Sequence, residues 1–131
     1  MKRDWDTIRE LLNKVEECTL PTEMVRLADF DEQRAAAISY HMSLLIEAGL
    51  VKGQVVQTTG PEVKEFFAQS LTWEGHEFLD SIRNDTVWTK TKKVFTEKGI
   101  EMSFDLVKSV AQVLVKAALG GTSDNQGFPS S

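Results

Sequence analysis

The 131-residue chain has one cysteine, two histidines, three prolines and one tyrosine. No apolar run approaches the about 20 residues that a membrane-spanning helix needs. Each scarcity excludes something. A lone Cys18, with no CxxC partner, rules out an intramolecular disulfide and argues against zinc ribbons and thioredoxin-like chemistry. Cys18, His41 and His76 lack metal-ligand spacing, so neither a metal nor a cofactor is expected. GxGxxG, P-loop, GxSxG and HExxH patterns are absent, and the expectation is a protein that is not an enzyme. The start, Met1-Lys2-Arg3-Asp4-Trp5-Asp6, has no apolar stretch behind it and does not read as a signal peptide, which predicts a cytoplasmic location.

Acidic charge is plentiful and uneven. Residues 1–85 carry nine basic and sixteen acidic side chains, a net of −7, whereas 86–131 carry six and four, a net of +2. The positive part is concentrated in Lys90, Lys92, Lys93 and Lys98. Net acidity repels phosphate backbones at long range, although a local basic patch can overcome it.

Apolar periodicity predicts a helix over 4–17, with Trp5, Ile8, Leu11, Leu12, Val15 and Cys18 on one stripe and Asp4 as its N-cap. Thr19-Leu20-Pro21-Thr22 breaks it. Residues 23–29 read as a short strand, with one helical turn as the alternative. A long helix is expected over 31–48, capped by Asp31 and ended by Gly49. Val51–Thr58 and Phe66–Leu71 read as a hairpin around Thr59-Gly60-Pro61. Thr72, Asn84 and Ser103 each cap a helix, predicted to run to Arg83, over 86–98 up to Gly99, and over 104–119 up to Gly120-Gly121. Trp5, Trp73 and Trp88 are expected to pack in the core rather than to stack on single-stranded nucleic acid. His41 reads as a hydrogen-bonded core histidine, His76 as part of a solvated helix start, and Cys18 as buried packing. Residues 122–131, rich in Gly, Ser, Asn and Pro, read as a flexible tail.

A helix, then Glu47-Ala48-Gly49-Leu50-Val51, then a hairpin is the order of a winged helix. The fold class expected is mainly α with a small β hairpin (α+β), a winged-helix-like core followed by extra C-terminal helices. The expected divisions are a core over 1–85, a helical extension over 86–119 and a tail over 120–131. Ser39-Tyr40-His41-Met42-Ser43-Leu44-Leu45-Ile46-Glu47-Ala48-Gly49-Leu50-Val51 resembles the recognition-helix end of bacterial winged-helix regulators of the MarR and ArsR types. Met1–Asp4, Tyr40-His41 with Leu44–Leu50, Leu71–Asp80 and Ile82–Trp88 together resemble a family of small phage and bacterial proteins that carries no assigned activity. That resemblance spans roughly 1–119 and implies a winged-helix-like fold and a prophage context. The chain departs from it in a longer approach to Tyr40 and in its Gly-Ser tail, which leaves 21–36 open.

On a helical wheel the apolar arc of 32–48 is about 200° wide, so this helix is expected to be packed from two sides. The remaining stripe carries Glu32, Gln33, Ala36, Ser39, Tyr40, Ser43 and Glu47, with no Lys or Arg. Base readout favours Arg, Lys, Asn or Gln on such a stripe, with basic neighbours for phosphates. The expected function is therefore a non-enzymatic, phage-type interaction protein that binds a host or phage protein, with inhibition of a defence or regulatory complex as its outcome. Its candidate contact residues are Glu32, Gln33, Tyr40, Ser43 and Glu47 with Glu62 and Glu65 of the hairpin. The alternative is a DNA-binding regulator using Lys52, Lys64, Lys90, Lys92 and Lys93. The last helix, apolar at Phe104, Val107, Val110, Ala111, Leu114, Ala117 and Ala118, should bury most of its surface, and Val107, Val110 and Leu114 are the candidates for homodimer contacts.

Overall fold

A computed structural model describes residues 1–57 and 59–120. The chain divides into two compact units, Met1–Leu79 and a second that begins at Asp80.

The first unit opens with α1 (Trp5–Glu16). The Asp4 carboxylate accepts from the amides of Asp6 (3.1 Å) and Thr7 (3.4 Å), satisfying donors that a helix start leaves orphaned. Trp5, Ile8, Leu11, Leu12 and Val15 are all buried, as the spacing predicts. Cys18, beyond the helix end, is only half-buried rather than enclosed. Around Pro21 the chain folds back, and the Glu23 carboxylate closes the turn by accepting from the amides of Thr19 (2.7 Å) and Leu20 (2.8 Å). The Leu20 and Thr19 amides hold that carboxyl below its ordinary range.

The 23–29 segment is a two-residue strand, β1 (Val25–Arg26), followed by a 3-10 turn over Leu27–Asp29. The helix expected over 31–48 begins late. Asp31 caps as expected, accepting from Gln33 N at 2.9 Å, but what it caps is a second 3-10 turn, Glu32–Arg34, and the α-helix α2 runs Ala35–Glu47. The reason lies in a contact 24 residues away in sequence. Arg34 sits at φ −98°, ψ 3° and sends its guanidinium to Glu10, in two bonds of 2.7 and 2.9 Å. Glu32 and Gln33 therefore fall out of phase with the helical stripe of Tyr40, Ser43 and Glu47. Ile38, His41, Met42 and Leu45 are buried; Ser39, on the polar stripe of the wheel, is buried too. Gly49, at φ +79°, ends the helix, and Leu50 N reaches back to Leu45 O at 3.0 Å, a closure that left-handed glycine permits.

β2 (Val51–Val55) and β3 (Phe66–Leu71) form the expected hairpin, with β2 shorter than predicted. β1 joins it to make an antiparallel three-stranded sheet in the order β1-β3-β2. Val25 faces Ala68, and Val55 faces Phe66. The register shifts between Lys52 and Gly53, leaving Gln69 as the extra residue of a bulge.

α3 (Trp73–Ile82) follows, started by Thr72, whose hydroxyl accepts from Gly75 N at 3.0 Å. Trp73 corrects the core expectation, being 76% exposed. It lies on the side of the helix opposite the buried Gly75, Phe78, Leu79 and Ile82, so helical phase turns it outward. Trp5 and Trp88 are buried, as expected.

In the second unit, Asn84 caps α4 (Asp85–Lys98), accepting from Val87 N at 3.0 Å, and Gly99 at φ +64° ends it. Ser103 caps α5 (Phe104–Gly120), accepting from Leu106 N at 3.2 Å. α4 packs on α5. The expectation that α5 hides most of its surface does not hold within this unit. Only Val107 and Ala111 are buried, while Leu106, Val113 and Leu119 are exposed. The predicted tail, from residue 121 onward, lies outside the described residues.

Candidate interaction site

The site begins with the bonds that fix α2 against its neighbours. Ser39 Oγ donates to Lys64 O at 2.6 Å, tying the helix to the approach of β3, and Ser43 Oγ donates to Ser39 O at 2.9 Å. His41 behaves as the buried histidine expected. Its Nε2 accepts from Asp4 N at 2.7 Å, so its proton sits on Nδ1, which donates to Ala37 O at 2.7 Å. Tyr40 meets the His41 ring edge-on, 5.2 Å between centroids. At the other end of α2, Thr72 clamps the turn twice, its amide donating to Leu50 O (3.0 Å) and its hydroxyl to Gly49 O (2.6 Å). A Cβ on Gly75 would overlap the Leu50 carbonyl, so only glycine allows α3 to start this close.

Held this way, α2 and the hairpin enclose an open cleft of about 600 Å3. Tyr40, Ser43, Leu44, Ile46 and Glu47 line it from α2, Gly53, Gln54, Val55 and Gln57 from β2 and its continuation, and Lys64 from the approach to β3. Three of the sequence-predicted contact residues, Tyr40, Ser43 and Glu47, are thus brought together, and Lys64 joins them from the alternative set. The others go elsewhere. Glu32 and Gln33 sit on the 3-10 turn before α2. The Glu65 carboxylate is spent inside the fold, accepting from Leu27 N at 3.1 Å. Glu62 folds over Gly60 in the hairpin loop. Lys52 is exposed on β2. Gln54, Val55 and Gln57 were not singled out from the sequence; the alternation of β2 carried the only signal, since it turns Gln54 away from the buried face.

The lysines of α4 make different contacts. Lys92 lies over the Trp88 ring at 5.3 Å, Lys93 approaches Glu97 at 3.9 Å, and Lys90 lines a groove of about 460 Å3 between α4 and α5. Of the dimer candidates, Val107 is fully buried within the unit and Val110 and Leu114 are half-buried. His76 is exposed, with Nδ1 3.8 Å from Glu16. Burial, with Glu23, Asp29 and Glu17 nearby, pushes the Cys18 thiol up, which makes it a poor nucleophile. Among the described residues no group of three or more His, Cys, Asp or Glu is placed to hold a metal ion, and no helix is long and apolar enough to cross a membrane.

A protein of Haemophilus influenzae, described as an uncharacterized protein, is 37% identical over 119 residues, covering 91% of this chain and 99% of that one. No solved structure matches the chain. Residues 2–101 match a family of unknown function, and the chain belongs to that family, described as Hypothetical protein (DUF2513).

Proposed function

We propose that this protein is a non-enzymatic binding module on a winged-helix-like scaffold, and that the α2–hairpin cleft receives a segment of a partner protein. One observation carries the reading: the cleft presents Tyr40, Ser43, Glu47, Gln54 and Gln57 with a single cation, Lys64. An exposed carboxylate beside one lysine is a poor match for a phosphate backbone, which is held by several Lys or Arg. A half-buried tyrosine flanked by polar and aliphatic groups suits a protein contact.

The sheet order β1-β3-β2, with α2 entering the hairpin through a tight turn, supports the winged-helix reading of the scaffold. The same order favours a second reading, a DNA-binding regulator that takes phosphates on Lys52 and Lys64 of the hairpin and Lys90, Lys92 and Lys93 of α4. A photo-reactive phenylalanine analogue in place of Ser43 separates the two. In nuclease-treated bacterial lysate it should yield a protein adduct that the same group at Asp105 does not. Titration of labelled mixed-sequence duplex at low salt should show no anisotropy change. Micromolar duplex binding that collapses with salt, and no adduct from Ser43, would overturn the protein-binding reading.

A further inference from the structure

We infer that the partner segment is an extended peptide that pairs with the open edge of β2 as a fourth strand; this rests on the protein-binding reading of the same cleft. In the order β1-β3-β2, β2 is an edge strand. Val56 N donates to Glu65 O at 2.8 Å, which sets the phase of the ladder. By antiparallel alternation Gln54, paired with Phe67, turns its backbone groups toward β3, while Gly53 and Val55 turn their amides and carbonyls outward. The cleft touches Val55 on the more buried side of the strand, Gln54 on its exposed side, and Gly53, where a Cβ would press on the Phe67 carbonyl of β3. A cleft in contact with all three runs along the strand's edge rather than over one face.

Outward backbone groups two residues apart are matched by another extended chain, which supplies donors and acceptors at the same repeat. Charge decides which chain. A second copy would bring a second net −7 from residues 1–85 against the first, whereas a segment that sets a basic residue beside Glu47, and an acidic one beside Lys64, meets the opposite sign at both. The occupant is a partner's extended segment carrying such residues.

The probe is a displayed library of short random linear peptides selected on the full chain. A selected peptide is then synthesised and scanned by backbone N-methylation. Binding should fall about tenfold or more at alternate peptide positions and little between them, because every second amide enters the ladder. The Gly53 and Val55 amides should gain exchange protection in the complex. Val55→Pro, which removes an outward amide, should abolish binding while leaving the fold intact by circular dichroism. The methyl scan and exchange data keep the test decisive if that variant does not fold. Loss of binding in Glu47→Lys and Tyr40→Ala, with no alternation and no protection, would overturn strand addition and leave the cleft reading standing. Binding indifferent to Glu47→Lys and Tyr40→Ala, or a library that yields no binder, would overturn both. A dimer in sedimentation that Val55→Pro dissolves would give the edge to a second copy and overturn the proposal.

Discussion

α1 and α5 are both amphipathic helices with good caps, yet they meet opposite fates. α1 has the more polar composition and buries its whole apolar stripe, Trp5 through Val15. α5 is the more apolar of the two and buries two residues, with Val113 at 66% and Leu119 at 78% exposure. Burial follows the number of elements a helix faces, and apolar content alone does not decide it. α1 packs on both α2 and β3 within its unit, whereas α5 packs on α4.

Truncation should break this symmetry most visibly. Leu12→Ala is expected to cost about 2–5 kcal/mol in urea denaturation, through lost transfer energy and the cavity left behind. Next comes the bond that pins the start of α1 to α2. His41→Leu fills the space but leaves Asp4 N without its acceptor, and about 1–3 kcal/mol should be lost. The caps should be closer to equal: Asp4→Ala and Ser103→Ala are each expected to cost about 1 kcal/mol, and a much smaller loss for Ser103→Ala would mark α5 as frayed at its start.

A smaller effect is pH-dependent. The hydrogen bonds from Arg34, aided by its charge and opposed by partial burial, hold the Glu10 carboxyl below its ordinary 4.5. The unfolded chain therefore binds that proton more readily. The pair's contribution is complete above 4.5 and is lost as pH falls through the lower folded-state value. Both side chains are nearly half exposed, so the contribution should be under about 1 kcal/mol. Arg34→Ala should flatten the acid limb of the stability profile. Last, Val113→Lys should leave stability within about 0.5 kcal/mol. Loss of a sedimenting dimer in that variant would show that α5 finds its missing neighbour in another molecule.

The helices were largely legible because their signals are local. Asp4, Thr72, Asn84 and Ser103 cap where their carboxyl, hydroxyl or amide oxygens can accept, and Gly49 and Gly99 stop helices at positive φ. The stretch 21–36 was less so. A two-residue strand and two 3-10 turns carry no periodicity, and the partner that pulls Arg34 out of the helix, Glu10, is distant in sequence. The site was half legible. Tyr40, Ser43 and Glu47 share a helical face, so the wheel grouped them. Glu65 shares the charge of Glu47 but not its place, because its carboxylate answers to the Leu27 amide. Trp73, expected in the core, is turned outward because Gly75, Phe78, Leu79 and Ile82 set the buried phase of its helix.

The turn between α2 and β2 is riveted by the Leu50 and Gly49 carbonyls, the amide and hydroxyl of Thr72 and the bare Cα of Gly75. None of the exposed cleft side chains takes part in that rivet. The width of the cleft and the chemistry of its walls are thus separate inheritances. Glu47, Gln54 or Gln57 can therefore be exchanged without rebuilding the turn, so long as Gly49, Thr72 and Gly75 stay in place.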